Sequence, residues 1–324
     1  MRFSLRLNND LAVADYVELA RVAEAAGFDQ FWVSHDLFLR SAPVVLAAVA
    51  GATERIGIGT CVLNPYTLHP AEIAMLAATL DELSGGRFLL GIAAGAGEFL
   101  KWVGIDQARP LATTRRAVRQ IDGLLAARPV EGWAPEAYQR FPSRRVPIYV
   151  GALSPGMLRL AGEVADGVLP LLFPPEHYDT VAPLIREGAE RAGRSLDDLD
   201  VAACVWCSVS EDRAAAEDAL RDKIAYYGHA LSPLIWDRLG LTQEDFRPIE
   251  RALMTKRDPA RARDLVDDRM LRIGIVGTPE DVATRLEGLV VRGVRHLSFG
   301  PPLGPDPLAA VEAIGRVVIP RFRD

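Results

Sequence analysis

Short apolar runs edged by glycine alternate along this chain with stretches whose apolar residues recur at three- and four-residue spacing. Residues 2–7, 30–34, 56–63, 87–92, 147–151, 167–171, 201–209 and 296–299 read as strands. The intervals carry helical periodicity, as in YVELARVAEAAG and TPEDVATRLEGLVVRG, each ending in glycine. The clearest unit lies at 56–98. Between two strands that read as buried on both faces, Ile73, Ala74, Leu76, Ala77, Leu80 and Leu83 mark one helix, opened by His69-Pro70 and closed by Gly85-Gly86. Two strands joined by a helix are parallel, so the loops that follow them, 64–69 and 93–98, open on the same face of the sheet, where α/β proteins place ligands.

Eight strands with helices between them predict an α/β fold of the (β/α)8 barrel type. A doubly wound sheet is the alternative, but GIAAGAGEF does not supply the G-x-G-x-x-G turn of a dinucleotide site. The chain reads as one barrel domain, 1–324. Its interval 210–277 is longer than one helix needs and carries the runs DRAAAEDALRDKIAYYG, FRPIERALMTKRD and PARARDLVDDRML with no clear strand. It is expected to be a helical insertion near the barrel mouth, shaping a substrate pocket or a subunit contact; a helical layer outside the barrel is the other reading.

Composition narrows the class. With 324 residues, 49% of them hydrophobic, the chain is long enough to bury a large core. The net charge of −6, without a basic stripe interleaved with aromatics, argues against a nucleic-acid partner. No apolar run approaches the roughly 18 residues of a membrane span, and MRFSLRLNND leads straight into a strand pattern, so a cytoplasmic protein is expected. Cys204 and Cys207 have redox-motif spacing, yet on a strand residues three apart point to opposite faces, which predicts core packing. No two of the five histidines have ligand spacing with a carboxylate, so no metal is expected.

Two segments carry ligand chemistry on their own terms. Ala93-Ala94-Gly95-Ala96-Gly97 has no bulky side chain, which lets a planar ring approach the backbone. After the strand PIYVGA, Leu153-Ser154-Pro155-Gly156 opens a helix, and a capped helix N-terminus is an anion site that needs no lysine.

The segments GTCVLNPYTLHP, GFDQFWVSHD, LDELSGGRFLLGIAAGAGEF, VPIYVGALSPGMLRLAGEVADGVLP and IVGTPEDVATRLEGLVVRGVRHL occur in one order over nearly the whole chain. That order resembles the luciferase-like superfamily of flavin and deazaflavin oxidoreductases, and within it the branch that uses coenzyme F420. The resemblance implies a (β/α)8 barrel, hydride exchange between F420 and a small organic substrate, and a homodimer. It also implies a non-prolyl cis peptide at Cys61-Val62 whose bulge backs the cofactor ring. The cofactor residues it maps are Cys61, Val62, Asn64, Ala94, Gly95, Gly151, Ala152, Leu153 and Ser154, with the phosphate at the helix start that Leu153 and Ser154 open.

The catalytic positions depart from the family pattern. Where the family has Asp followed by His, this chain has His35-Asp36, which puts Asp36 at the place of the active-site histidine. Asp36 is expected to face the substrate and His35 to bond near the ring, orienting substrate or moving a proton. A turn pair capping the helix near Ser41 is the competing reading. The family's loop glutamate matches Ala96, so Glu98 is the candidate substitute, against a surface carboxylate that merely starts a helix. Arg40 is a candidate for an anionic substrate group. Two alternatives stay open at this stage: an FMN-dependent monooxygenase of the same superfamily, and a non-catalytic flavin-binding protein.

Overall fold

The computed structural model describes residues 1–141, 143–231 and 233–323. The chain has the (β/α)8 class of fold that the alternation of its elements predicts. Two compact units are distinguished within it.

The first unit comprises Arg2–Pro170 and Thr180–Ala202. It contains β1 (Arg2–Leu7), α1 (Val13–Ala25), β2 (Gln30–Val33), α2 (Ala42–Ala50), β3 (Gly57–Thr60), α3 (Pro70–Leu83) and β4 (Phe88–Ile92). Next come α4 (Gly97–Trp102), α5 (Pro110–Leu125), β5 (Ile148–Ala152), α6 (Pro155–Val164), β6 (Gly167–Pro170), most of α7 (Tyr178–Arg191) and the start of β7 (Asp200–Val209). Each strand from β1 to β6 pairs in parallel with the next, and β6 pairs with the first residues of β7. The helices form where the sequence supplies apolar spacing and a start signal. In α5 the buried Ala117, Val118, Ile121, Leu124 and Leu125 make one face, with Pro110 in the first turn. His69 caps α3 by accepting the Ala71 amide at 3.2 Å, and Gly85 and Gly86 leave that helix with φ of 65° and 87°.

Within this unit one sheet face carries an aromatic and polar layer. The register sets Arg6 beside Trp32 and Trp32 beside Gly59. A Cβ on Gly59 would lie 2.3 Å from the Trp32 ring, and one on Gly167 would lie 2.1 Å from Tyr149, so these glycines make room for the two rings. Trp32 and Tyr149 meet edge to face with centroids 5.0 Å apart. Gln30 Oε1 accepts the Trp32 indole N–H at 3.0 Å, and the Tyr149 hydroxyl donates to Asp200 at 2.6 Å. Burial, then the Asp200 carboxylate, pushes the Tyr149 phenol upward, so it stays a donor.

The second unit comprises Met1, Leu171–Asp179 and Ala203–Asp324. After the rest of β7 it holds α8 (Arg213–Tyr227), α9 (Pro233–Leu239), α10 (Gln243–Glu250), α11 (Pro259–Asp264), α12 (Asp268–Leu271), β8 (Ile275–Gly277), α13 (Pro279–Val291), β9 (His296–Leu303), α14 (Pro307–Ala313) and α15 (Ile319–Phe322). Trp206, Leu220, Ile224, Trp236, Phe246, Ile249, Val266 and Ile273 pack into one apolar cluster with Phe173. This explains how the insertion holds together: its short helices each contribute one or two buried residues to a common core.

The eight expected strands are all present, and the differences are local: the last of them runs on to Leu303 rather than ending at 299. The third strand ends at Thr60 rather than Leu63, and Leu63 rejoins the ladder through a single bridge to Ile92. A strand, β8, does occur inside 210–277; at three residues it is too short for periodicity to reveal. The run PARARDLVDDRML is two helices, because Asp267 caps a new start by accepting the Met270 amide. Cys204 and Cys207 are both fully buried, and burial pushes the Cys207 thiol up to about 12. Trp206 is a core residue, 4.6 Å from the Phe173 ring centroid. Among the described residues no helix is long and apolar enough to cross a membrane.

Candidate functional site

The expected site residues sit in the first unit, at the end of β5 and in the segments that follow β2, β3, β4 and β5, with Glu98 in α4. The peptide between Cys61 and Val62 is cis, as the resemblance implies. A Cβ placed on Gly151 would lie 3.1 Å from Val62 and 3.2 Å from the Ala93 methyl. Three loops therefore converge on one small apolar junction, the ends of β3, β4 and β5. Asn64, nearly buried, folds its own loop: its Oδ1 accepts the amides of Tyr66 at 3.1 Å and Thr67 at 3.0 Å. Its side chain packs against Gly95, which has φ of 80° and whose added Cβ would meet Asn64 at 3.1 Å. Neither shape nor backbone angle leaves room there for another residue.

Ala94 and Gly95 are held from below by a residue the sequence reading passed over. Gln107 Nε2 donates to the carbonyls of Ala94 at 2.8 Å and Gly95 at 2.9 Å. Glu98 is exposed in the first turn of α4, where a carboxylate favours the helix N-terminus. At the end of β5, Ala152 is buried and Leu153 exposed, and Ser154 caps α6 by accepting the Met157 amide at 3.3 Å.

The loop after β2 is clamped by a second overlooked residue, Asn9. Fully buried, its Nδ2 donates to the carbonyls of Asp36 at 3.0 Å and Arg40 at 2.7 Å, and its Oδ1 accepts the Asp36 amide at 3.3 Å. The Arg40 guanidinium turns back to the Asp10 carbonyl at 2.6 Å and holds the same loop from outside. His35 Nδ1 accepts the Ala42 amide at 3.2 Å, so the helix-capping reading of this residue is met. Burial lowers the His35 pKa, and with Nδ1 an acceptor the neutral ring carries its proton on Nε2. That N–H is the group His35 has left for a ligand. Beyond it Phe38, with φ of 69°, stands exposed at 6.1 Å from Trp102, which packs on Phe99 at 5.0 Å. The loops after β2 and β4 thus present an aromatic wall.

A buried histidine in the second unit gives a pH signature. His177 is 8% exposed, its Nδ1 has no partner, and burial followed by the Arg238 charge lowers its pKa to about 4. Unfolded, it takes up a proton near pH 6.5. Between those values the unfolded chain binds the proton and the folded one does not, so stability falls as pH drops from 6.5 towards 4. Urea unfolding across this range is expected to show a flatter pH dependence in His177→Gln than in the parent; equal slopes would remove the assignment.

Among the described residues no cluster of three or more His, Cys, Asp or Glu side chains is placed to hold a metal ion. What the site offers instead is a small-residue wall, a capped helix start and a neutral imidazole. These features on a (β/α)8 barrel agree with the family comparison: residues 1–296 match the luciferase-like monooxygenase family, and the chain belongs to it. Among curated relatives it is 33% identical to the 5,10-methylenetetrahydromethanopterin reductase of Archaeoglobus fulgidus, over the full length of both chains. It is 31% identical to the F420-dependent glucose-6-phosphate dehydrogenase of Nakamurella multipartita, over 96% of this chain and 93% of the other. Among solved structures, the coenzyme F420 dependent tetrahydromethanopterin reductase from Methanopyrus kandleri superposes with a TM-score of 0.91 at 32% identity, covering 99% of each chain.

Proposed function

We propose that this protein is an oxidoreductase that moves a hydride between coenzyme F420 and a small organic substrate. The observation that carries the reading is the junction of Val62, Ala93 and Gly151 at the ends of three adjacent strands, which brings small groups together beside the Cys61-Val62 peptide. That junction suits a planar tricycle, and the Ser154-capped start of α6 suits the cofactor's phosphate. Cys61, Val62, Asn64, Ala94 and Gly95 would hold the ring, with Gly151, Ala152, Leu153 and Ser154 along the phosphate-bearing side. When bound, F420 supplies the carbon that carries the hydride.

The protein's own groups supply position and proton handling. Asn9 fixes the loop that presents His35 and Asp36, so neither has to be ordered when substrate arrives. His35 offers an N–H donor from Nε2, and Asp36 offers the carboxylate of the pair. Phe38 and Trp102, with ring centroids 6.1 Å apart, offer exposed apolar surface against which a substrate can pack. Glu98, exposed on α4, is left the weakest of the three catalytic candidates. The working form in this reading is a cytoplasmic homodimer.

The test is a parallel titration with oxidised F420 and FMN, following quenching of protein and cofactor fluorescence. F420 is expected to bind at least about tenfold more tightly, a difference near 1.4 kcal/mol. A preference for FMN would overturn the reading in favour of a monooxygenase, and binding of neither would remove the oxidoreductase assignment.

A further inference from the structure

One buried cation has no role in the site described so far. Arg6, on β1, is 6% exposed, and its Nε and Nη2 have no hydrogen-bond partner. Its register partner is Trp32, so it lies on the same sheet face as Gln30, Trp32 and Tyr149, one residue from the end of β1 that leads to Asn9. Asp200, a carboxylate on that face, is already engaged: it accepts from Tyr149 at 2.6 Å and pairs with Arg2. Gln30 Oε1 is taken by the Trp32 indole. Arginine stays cationic when buried, and a buried charge without a partner is strongly unfavourable, so its retention points to a counter-ion that arrives from outside the chain.

The two orphaned nitrogens say what kind. The N–H bonds of Nε and Nη2 run parallel along one edge of the guanidinium, the edge that donates to both oxygens of a carboxylate at once. The cofactor contacts proposed above lie on the loops after β3, β4 and β5, whereas Arg6 is on β1, with β2 between. Resting on the F420 reading, we propose that Arg6 is the anchor for a carboxylate carried by the substrate. Substrates of this enzyme are then small organic acids, oriented by the Nε/Nη2 edge with their reacting carbon towards the ring. An amide or ester of the same acid lacks the matching oxygens and charge.

The experiment compares the parent with Arg6→Met, which keeps length without charge, and Arg6→Lys, which keeps charge without the fork. Thermal melting is followed alone and with acetate or benzoate against acetamide or benzamide, chloride being held constant, and F420 affinity is measured separately by fluorescence. The expected results are a melting point for Arg6→Met no lower than the parent's, because an unpartnered buried charge has been removed. The carboxylates raise the parent's melting point and the amides do not; the response is lost in Arg6→Met and weakened about tenfold in affinity in Arg6→Lys. F420 affinity stays the same in all three. Marked destabilisation of Arg6→Met would make the residue structural and overturn the proposal. So would equal responses to acid and amide, or no response in the parent. A loss of F420 affinity of about tenfold in Arg6→Met would assign the residue to the cofactor instead. If the parent binds no F420 but keeps an Arg6-dependent carboxylate response, the anion site stands and the F420 reading fails.

Discussion

Replacing Asn9 with alanine is expected to destabilise the protein by about 3 kcal/mol and to open the loop at 35–40, the sum of three side-chain hydrogen bonds at about 1 kcal/mol each. Two of those bonds go to the carbonyls of Asp36 and Arg40 and one comes from the Asp36 amide. Alanine removes all three bonds from position 9, which is fully buried. The backbone bond from the Arg40 amide to the Asn9 carbonyl, at 3.1 Å, survives the change, so the loop is loosened rather than released. Trypsin reads this directly, since Arg40 is exposed and the bond to Ser41 closes the loop. If cleavage follows local opening, about 3 kcal/mol corresponds to a rate about a hundredfold faster in Asn9→Ala, measured by mass spectrometry of the first fragment. Asn9→Asp is expected to do no better. It keeps the acceptor for the Asp36 amide but sets a carboxylate against two carbonyl oxygens. Parent-like stability and cleavage in Asn9→Ala would show that the loop is held elsewhere, and His35 and Asp36 would lose their fixed presentation.

Asn9 also marks where reading the sequence stops. The barrel was legible because eight apolar runs and their intervening helices repeat one pattern, and each misplacement has a local cause. The third strand was drawn three residues too long because Cys61, Val62 and Leu63 are apolar like the strand, while the backbone leaves the ladder after Thr60. The ring wall was legible as a family motif together with a run of small residues, and the junction of Val62, Ala93 and Gly151 is its physical content. Asn9 and Gln107 were not legible. Each acts by donating to backbone carbonyls of a loop distant in sequence, 27 and 13 positions away at the first contact, and such bonds leave no periodic trace. The one signal was the polar triplet Asn8-Asn9-Asp10 at the end of a strand that leads to the ligand face. Arg6 escaped for the opposite reason. Strand residues alternate faces, so Arg2 and Arg6 in RFSLRL read as one solvent-facing side until burial shows that both faces are covered from Phe3 to Leu7.

Enlarging Gly151 should separate cofactor binding from folding. In Gly151→Val the new side chain starts from a Cβ 3.1 Å from Val62 and 3.2 Å from Ala93, closer than an ordinary van der Waals contact to either. Neither neighbour is the far end of a long flexible chain: Ala93 cannot move without its strand-end backbone, which donates to the Leu63 carbonyl at 3.0 Å. Val62 must therefore yield, and its displacement moves the wall that the ring rests on. Overpacking of this kind typically costs about 1–3 kcal/mol. When the junction can relax in the free protein but not with ligand in place, that cost falls on binding, and F420 affinity drops about tenfold to a hundredfold. The melting point of the free variant should change little, because the junction lies at strand ends rather than in the centre of the core. Gly151→Ala, with only the Cβ to accommodate, should fall between the two. Parent-like F420 affinity in Gly151→Val, with the protein folded, would mean that the ring does not rest on Val62, and the cofactor would have to be sought away from the ends of β3 to β5.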